Sequence, residues 1–435
     1  MTSVQNSSLA NSAISKAGWR IIPLLSIGYL TAYIDRVNVS FASTQMNVDL
    51  GFSATVYGLG AGLFYLSYSL VEIPSNMLLM RFGARAWLAR IMIMWGVIAA
   101  AMMFVQTPNH FYALRFLLGL AEAGFFPGVL YYLSHWFPTR QRGRAVAMFY
   151  LANPLAVSVM GLISGPLLAL DGTGGLRGWQ WLYLLQGLPA VLIGVLVFAF
   201  LPNTPDDARW LSPEERTALQ TELDKHPVAD EDHSGGGVLA VLSDRRVQLL
   251  AAIYVVTLSC ATAFLLSGPA ILMEMTGWNL PEVSNIIFYG GLLGAATMLI
   301  TGWVTDWMGQ RYTALIIALT VDMFAYALIV LGGTPTLIMA GFVLAQMGRG
   351  IQATAQAALW TDVLRQRRLA IGVAAISSVA NMGTFLLPFA FGWSRDATGG
   401  YITALYFWPP LHLLAVGLGL VLYLDWKRRG SVKAG

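Results

Sequence analysis

Seven ionisable side chains stand in stretches of sequence that are otherwise almost wholly apolar: Asp35, Arg36, Glu72, Arg115, Glu122, Asp322 and Arg349. A charge at the centre of an apolar membrane helix costs about 2.5–3.5 kcal/mol on insertion scales. Seven unpaired charges would therefore cost ~20 kcal/mol, more than the net stability of most domains. They must pair, take up protons or face water. Arg115 and Glu122 are seven residues apart, so they share one helix face two turns apart. Asp35 and Arg36 are adjacent and diverge by about 100° around their helix. Together these two segments supply two bases and two acids, a formally neutral set. A substrate carboxylate would leave the set one charge negative, and a proton on Asp35 or Glu122 would restore neutrality. On this arithmetic a monoanion calls for one proton and a dianion for two. Anion and proton then favour each other's binding, because each alters the electrostatic surroundings of the other. Arginine suits the anion role, being always charged and able to grip a carboxylate with two parallel donors.

The elements that must position these groups follow from composition. The chain has 435 residues, 57% hydrophobic and only 11% charged, against about a quarter charged in an ordinary soluble domain. That balance excludes a cytosolic enzyme, a disordered chain and a nucleic-acid-binding domain. The single cysteine, Cys260, excludes a disulfide framework and a thiolate metal cluster, and the five histidines show no ligand spacing. No metal and no cofactor is expected. No phosphate-cradling G-x4-G-K-[ST] loop and no nucleophile–base pair within a span is present, so neither an ATP-driven pump nor a membrane enzyme is indicated.

A spanning helix needs about 20 apolar residues. Twelve such runs fall near residues 18–42, 54–79, 86–106, 110–135, 144–169, 179–201, 246–271, 281–305, 312–332, 335–361, 370–394 and 402–425. The expected fold is an all-α integral membrane protein with twelve transmembrane helices in two six-helix bundles. Of the 26 Lys and Arg, only Arg177 and Arg395 fall in loops on one side, while Arg81, Arg85, Arg140, Arg142, Arg144, Arg365, Arg367 and Arg368 fall on the other with the termini. That bias predicts cytoplasmic termini and accounts for the net charge of +4 without nucleic acid as a partner. The acidic segment 202–244, with a capped helix signal at Ser212-Pro213-Glu214-Glu215 and a Gly235-Gly236-Gly237 hinge, divides the chain. Residues 1–201 form the predicted N-terminal bundle, 202–244 a solvated cytoplasmic linker and 245–435 the C-terminal bundle. The halves echo each other: Gly83-Ala84-Arg85 follows the second span, and Asp306-x2-Gly309-Gln310-Arg311 follows the eighth. Glycine permits the tight turn and arginine can cap helix carbonyl ends there. Paired six-span repeats mark transporters that rock one half against the other.

At this point the chain resembles the major facilitator superfamily and, more narrowly, the anion:cation symporter family, in its bacterial branch of tartrate, phthalate, nicotinate and hydroxyphenylacetate permeases. The residues that carry the resemblance are Tyr33-Ile34-Asp35-Arg36-Val37-Asn38, Glu72-Ile73-Pro74-Ser75-Asn76, Arg81-Phe82-Gly83-Ala84-Arg85, Arg115-x3-Gly119-x2-Glu122-Ala123-Gly124-Phe125-Phe126-Pro127 and Trp136-Phe137-Pro138. Met80 stands where the family pattern usually has an acid.

The resemblance implies that Arg36 binds the substrate carboxylate and that Asp35 and Glu122 carry protons, with Arg115 as the partner that keeps one acid ionised. It also implies substrate hydrogen bonds from Tyr68, Asn153 and Asn381. Gly83, Arg85, Asp306, Gly309 and Arg311 form the cytoplasmic gate motifs. From the residues themselves, Arg349 either pairs with Asp322 or faces the cavity as a second cationic pole, with Gln352 and Gln356 adding donors on its face. The expected function is import of a small organic anion (a sugar acid, dicarboxylate or aromatic acid) by proton symport, in a bacterial inner membrane, by a chain that works as a monomer. A drug/proton antiporter and a non-transporting membrane sensor are the alternatives. Gly161-x3-Gly165-Pro166 begins the antiporter pattern, but Leu167, Leu168 and Ala169 do not continue it.

Overall fold

A computed structural model describes residues 3–225, 243–308, 310–363 and 369–432, and among them every regular element is helical. With no water in the hydrocarbon layer, a chain this apolar must satisfy its backbone internally, which helices do. The first half runs α1 (Ser3–Leu50), α2 (Ala54–Phe82), α3 (Ala84–Ala101), α4 (Pro108–Glu122), α5 (Phe125–Ser134), α6 (Thr139–Tyr150), α7 (Ala152–Leu168) and α8 (Gly178–Phe200). After α9 (Pro213–Asp224), the second half runs α10 (Arg245–Thr276), α11 (Leu280–Met308), α12 (Arg311–Leu331), α13 (Pro335–Val363), α14 (Leu369–Thr398), α15 (Ile402–Leu405) and α16 (Trp408–Val432). Three of the twelve predicted spans are split. The fourth is α4 followed by α5, the fifth is α6 followed by α7, and the twelfth is the short α15 followed by α16. Nine helical stretches among the described residues are long and apolar enough to cross a membrane by composition alone. The helix α1 is not one of them, because it carries Lys16, Arg20, Asp35 and Arg36.

The 48 residues of α1 make it ~72 Å long at 1.5 Å per residue, against a hydrocarbon layer of about 30 Å. Its N-terminal turns therefore project beyond the bundle, and α9 docks on them. Ser212 caps α9, accepting from the Glu215 N–H at 3.2 Å while Glu215 accepts from the Ser212 N–H at 3.1 Å. The same carboxylate takes Lys16 Nζ at 2.7 Å and the Ser12 hydroxyl at 2.7 Å. Arg20 lies over the Trp210 ring, which stacks on Trp136 with centroids 5.7 Å apart. The early part of segment 202–244 is thus a docked element rather than a solvated connector. Residues 226–242, with Gly235-Gly236-Gly237, lie outside the described residues.

The turn after α2 binds the end of α8. Gly83 adopts φ +84, Arg85 N–H donates to Asn203 Oδ1 at 2.9 Å, and Arg85 Nε donates to the Phe198 carbonyl at 2.5 Å. In the second half, Arg311 opens α12, while Gly309 and the side chain of Asp306 lie outside the described residues.

The halves meet along two seams at the end of the bundle away from the termini. In one, α2 lies against α14. A methyl on Gly58 would stand 2.3 Å from the Pro388 carbonyl oxygen, and one on Gly392 would stand 2.0 Å from that of Ala54. Asp396 on α14 caps α2 across this seam, accepting from Ala54 N–H at 3.1 Å, Thr55 N–H at 2.7 Å and the Thr55 hydroxyl at 2.6 Å. The Tyr57 hydroxyl donates to the Leu266 carbonyl. In the other seam α7 lies against α11, where methyls on Gly161 and Gly291 would stand 2.6 Å from Phe288 N and 2.3 Å from Ser158 Oγ. Toward the termini, Tyr33, Glu72, Tyr150, Asn153, Tyr254 and Asn381 are all half-exposed. The closed end and the more open end are thus distinct.

Two outcomes follow. Gly58→Val should hold α2 off α14, so a cysteine introduced at Ser40 should react several-fold faster with an impermeant maleimide added from the far side. At the other end, the hydrogen bond from Lys16 holds the Glu215 carboxyl down to about 2 from an ordinary 4.5. A carboxyl lowered on folding stabilises above its ordinary value and loses that contribution as pH falls toward the lowered one. Hydrogen exchange of residues 213–224 should therefore speed up between pH 4.5 and pH 2 relative to the neighbouring helices, and Lys16→Ala should weaken that pH dependence, leaving the part due to Ser12 and Ser212.

Candidate functional site

The site forms where α1, α2 and α4 meet. Pro127 lacks an N–H, so the carbonyl four residues earlier, that of Ala123, has no intrahelical donor. The chain breaks there: α4 ends at Glu122 and Gly124 turns at φ +88 before α5 begins. Ser75 of α2 donates its hydroxyl to the freed Ala123 carbonyl at 2.7 Å. A methyl on Gly124 would stand 2.4 Å from Ser75 Oγ, so only glycine admits this contact. The break places Glu122 at the last turn of α4, facing α1.

Glu122 and Arg36 form the central ion pair. Arg36 Nη2 lies 2.5 Å from Glu122 Oε1, and Nε donates to the same oxygen at 2.7 Å. The Glu122 side chain is 1% exposed and that of Arg36 is 16% exposed. The guanidinium lies 5.0 Å from the Tyr68 ring centroid, 5.3 Å from that of Tyr33 and 5.4 Å from that of Phe64, an aromatic cradle for a planar cation. Tyr33 in turn meets Tyr29, which stacks on Phe149 of α6 and neighbours Tyr150. Asp35, the neighbouring residue on α1, is buried and accepts from Asn38 Nδ2 at 3.0 Å. Asp35 Oδ2 and Glu122 Oε2 are buried with no hydrogen-bond partner among the described residues, which leaves two carboxylate oxygens open to a proton.

Arg115, expected as the partner of one of these acids, does not touch either of them directly. It is buried, its Nη2 donates to the Ala61 carbonyl at 3.4 Å and its guanidinium lies 4.9 Å from the Phe64 ring centroid. Among the described residues it makes no ion pair. Two turns along α4 separate it from Glu122, and its side chain is directed at α2.

In the second half, Arg349 and Asp322 are not paired within 4.0 Å among the described residues. Arg349 Nη2 donates to the Ala261 carbonyl at 3.2 Å. Its side chain lines a cavity between the halves with Val37, Ser40 and Phe41 of α1 and Gln346 of α13. Gln352 is buried and donates its amide to Gln356 Oε1 at 3.2 Å, while Gln356 Nε2 is buried with no hydrogen-bond partner among the described residues. The sequence reading missed Gln346, three residues before Arg349, and Ser40, one turn past Arg36. Helical spacing alone could have nominated both. Asn153 and Asn381 are half-exposed on α7 and α14. No cluster of three or more metal-ligating side chains occurs among the described residues.

Residues 25–388 match the Major Facilitator Superfamily. A protein of Agrobacterium vitis named "Putative tartrate transporter" is 39% identical over 420 residues, covering 96% of each chain. A "Quinolone resistance transporter" of Acinetobacter baumannii is 38% identical over 425 residues, covering 94% of this chain and 95% of its own. Among solved structures, a bacterial homologue of the human lysosomal transporter Spinster, in an inward-facing and unoccupied conformation, superposes with a TM-score of 0.76 at 15% identity. That superposition covers 93% of this chain and 96% of the other.

The ion pair predicts a particular mutational pattern. Arg36→Gln strands a buried carboxylate and should cost about 3–5 kcal/mol, whereas removing both charges is often near neutral. The thermal midpoint in detergent should therefore fall clearly for Arg36→Gln and recover in Arg36→Gln/Glu122→Gln. Equal midpoints for the single and double variants would show that the two groups are not coupled.

Proposed function

Because the chain belongs to the Major Facilitator Superfamily, multi-pass membrane transporters rather than enzymes, we propose that it imports a small organic anion together with protons by alternating access. The observation that carries this reading is the Arg36 guanidinium. It is cradled by Tyr33, Phe64 and Tyr68, held by one oxygen of Glu122, and is the strongest anion ligand near the open end of the bundle. An arriving carboxylate competes with Glu122 for it. Once displaced, Glu122 is a buried acid without a counter-charge, a state so costly that it takes up a proton. Asp35, with its bare Oδ2, is the second proton acceptor of the same compartment. Anion and proton then load together, and the neutralised interior can close and reopen. Tyr68, Asn153 and Asn381 supply hydrogen bonds to the bound anion, and Arg115 offsets the charge of Asp35 at longer range.

In this reading residues 1–201 and 245–435 are the two rocking bundles, and 202–244 joins them. The Lys and Arg bias supports termini in the cytoplasm of a cell with an inner membrane, which makes the α2–α14 and α7–α11 seams the outward closure. Each chain holds its own site, so it works as a monomer. The quinolone resistance relative favours a second reading, proton-driven export of an acidic drug. The two readings differ in the direction of net movement.

The test is purified protein in liposomes with an internal pH dye, given tartrate, galactonate, phthalate, nicotinate or hydroxyphenylacetate outside. Symport acidifies the lumen with at least one acid, and Arg36→Gln abolishes the signal. Glu122→Gln should lose proton-driven accumulation while keeping exchange of labelled acid. Acid influx without acidification would overturn the proton roles of Asp35 and Glu122. Alkalinisation of an acid-loaded lumen by an external quinolone would favour the exporter.

A further inference from the structure

Among the described residues Arg349 forms no ion pair. It is half-buried at the seam between the halves, in a cavity whose other lining is mostly apolar, and it hydrogen-bonds the Ala261 carbonyl and the Tyr326 side chain. Asp322 is the nearest acid, admitted by a glycine: a methyl on Gly348 would stand 2.1 Å from its Oδ1. Yet that oxygen is buried with no hydrogen-bond partner, and among the described residues the two groups form no ion pair. The Arg349 side chain borders an inter-half cavity from which an anion can reach it. The cavity also begins beside Arg36. Val37 is the next residue, and Ser40, four residues on, lies ~6 Å farther along α1 at 1.5 Å per residue. Arg349 of one half thus lines a cavity whose other wall is the stretch of α1 that directly follows Arg36. The cavity has about 20 Å³ open to water centres, room for about one water, so a ligand reaching both guanidinium groups must enter as the halves part and then draw them together.

We infer that Arg349 is a second carboxylate-binding group, and that the cargo is a dicarboxylate whose two ends are held by Arg36 in one half and Arg349 in the other. This rests on the anion-transport reading above and narrows it. A dianion held at both ends ties the halves, so closure is driven by the same contacts that select the cargo.

The experiment compares uptake of labelled L-tartrate with D-glycerate, and phthalate with benzoate, in liposomes holding the wild type, Arg349→Gln, Arg349→Lys and Arg36→Gln. The wild type should take up at least one dicarboxylate with a KM about tenfold or more below that of its monocarboxylate counterpart. Arg349→Gln should raise the dicarboxylate KM about tenfold and leave any monocarboxylate uptake within about twofold. Arg349→Lys should recover part of the difference. The size-exclusion profile and thermal midpoint of Arg349→Gln should match the wild type, which separates a binding loss from misfolding. Parallel shifts for both acids, an unchanged KM in Arg349→Gln, or a wild type that prefers the monocarboxylate would overturn the second pole. If Arg36→Gln abolishes uptake while Arg349→Gln does nothing, anion transport stands and this inference falls. If the wild type takes up none of the acids, both fall.

Discussion

Two charges removed from water must answer to each other, and the Arg36–Glu122 pair is the place where this chain does so. In a low-dielectric interior each group alone would be prohibitive, so the helices that carry them, α1 and α4, are committed to one relative placement. The aromatic rings beneath the guanidinium contribute without neutralising it. They favour the cation and leave its outer face available. The pair therefore fixes α1 against α4 from inside the bundle.

That placement depends on a backbone event two residues past Glu122. Proline 127 orphans the Ala123 carbonyl, Gly124 turns, and Ser75 closes the account with its hydroxyl. The break stops α4 where Glu122 can face α1, and it fastens α2 to the same junction. Since α2 also carries Phe64 and Tyr68 and forms one side of the α2–α14 seam, part of the cradle of the cation and part of the closure sit on one helix.

Much of this was legible in the sequence. Runs of apolar residues give the spans because a lipid-exposed backbone has no alternative to the helix, and the intramembrane charges stand out because they are costly. The pairing was not legible. Adjacent Asp35 and Arg36 look equivalent on paper, and only the rotation of α1 against α4 decides that Arg36, not Arg115, meets Glu122. The split after Glu122 had a signal in Gly124-x2-Pro127, but a span-length window averages it away. Segment 202–224 read as solvent-exposed because its composition is acidic. Its docking rests on a few contacts with α1 and Trp136, far apart in sequence, which no local pattern encodes. Gln352 and Gln356 shared the predicted face of Arg349 yet bonded each other, since amides four residues apart on a helix are within mutual reach.

The glycines along α2, α7, α11 and α14 have a thermodynamic implication for turnover. Where most interfaces between moving bodies must freeze long side chains each time they close, these seams bring backbone to backbone. Glycine has no rotamers to lose, whereas an immobilised long side chain costs up to about 2 kcal/mol. The entropy change on shutting the far end is correspondingly small, and so is the reward for keeping it shut. With neither state deeply favoured by the seam itself, the balance between open and closed is left to the few polar latches, such as Asp396 on the α2 terminus, and to whatever occupies the interior.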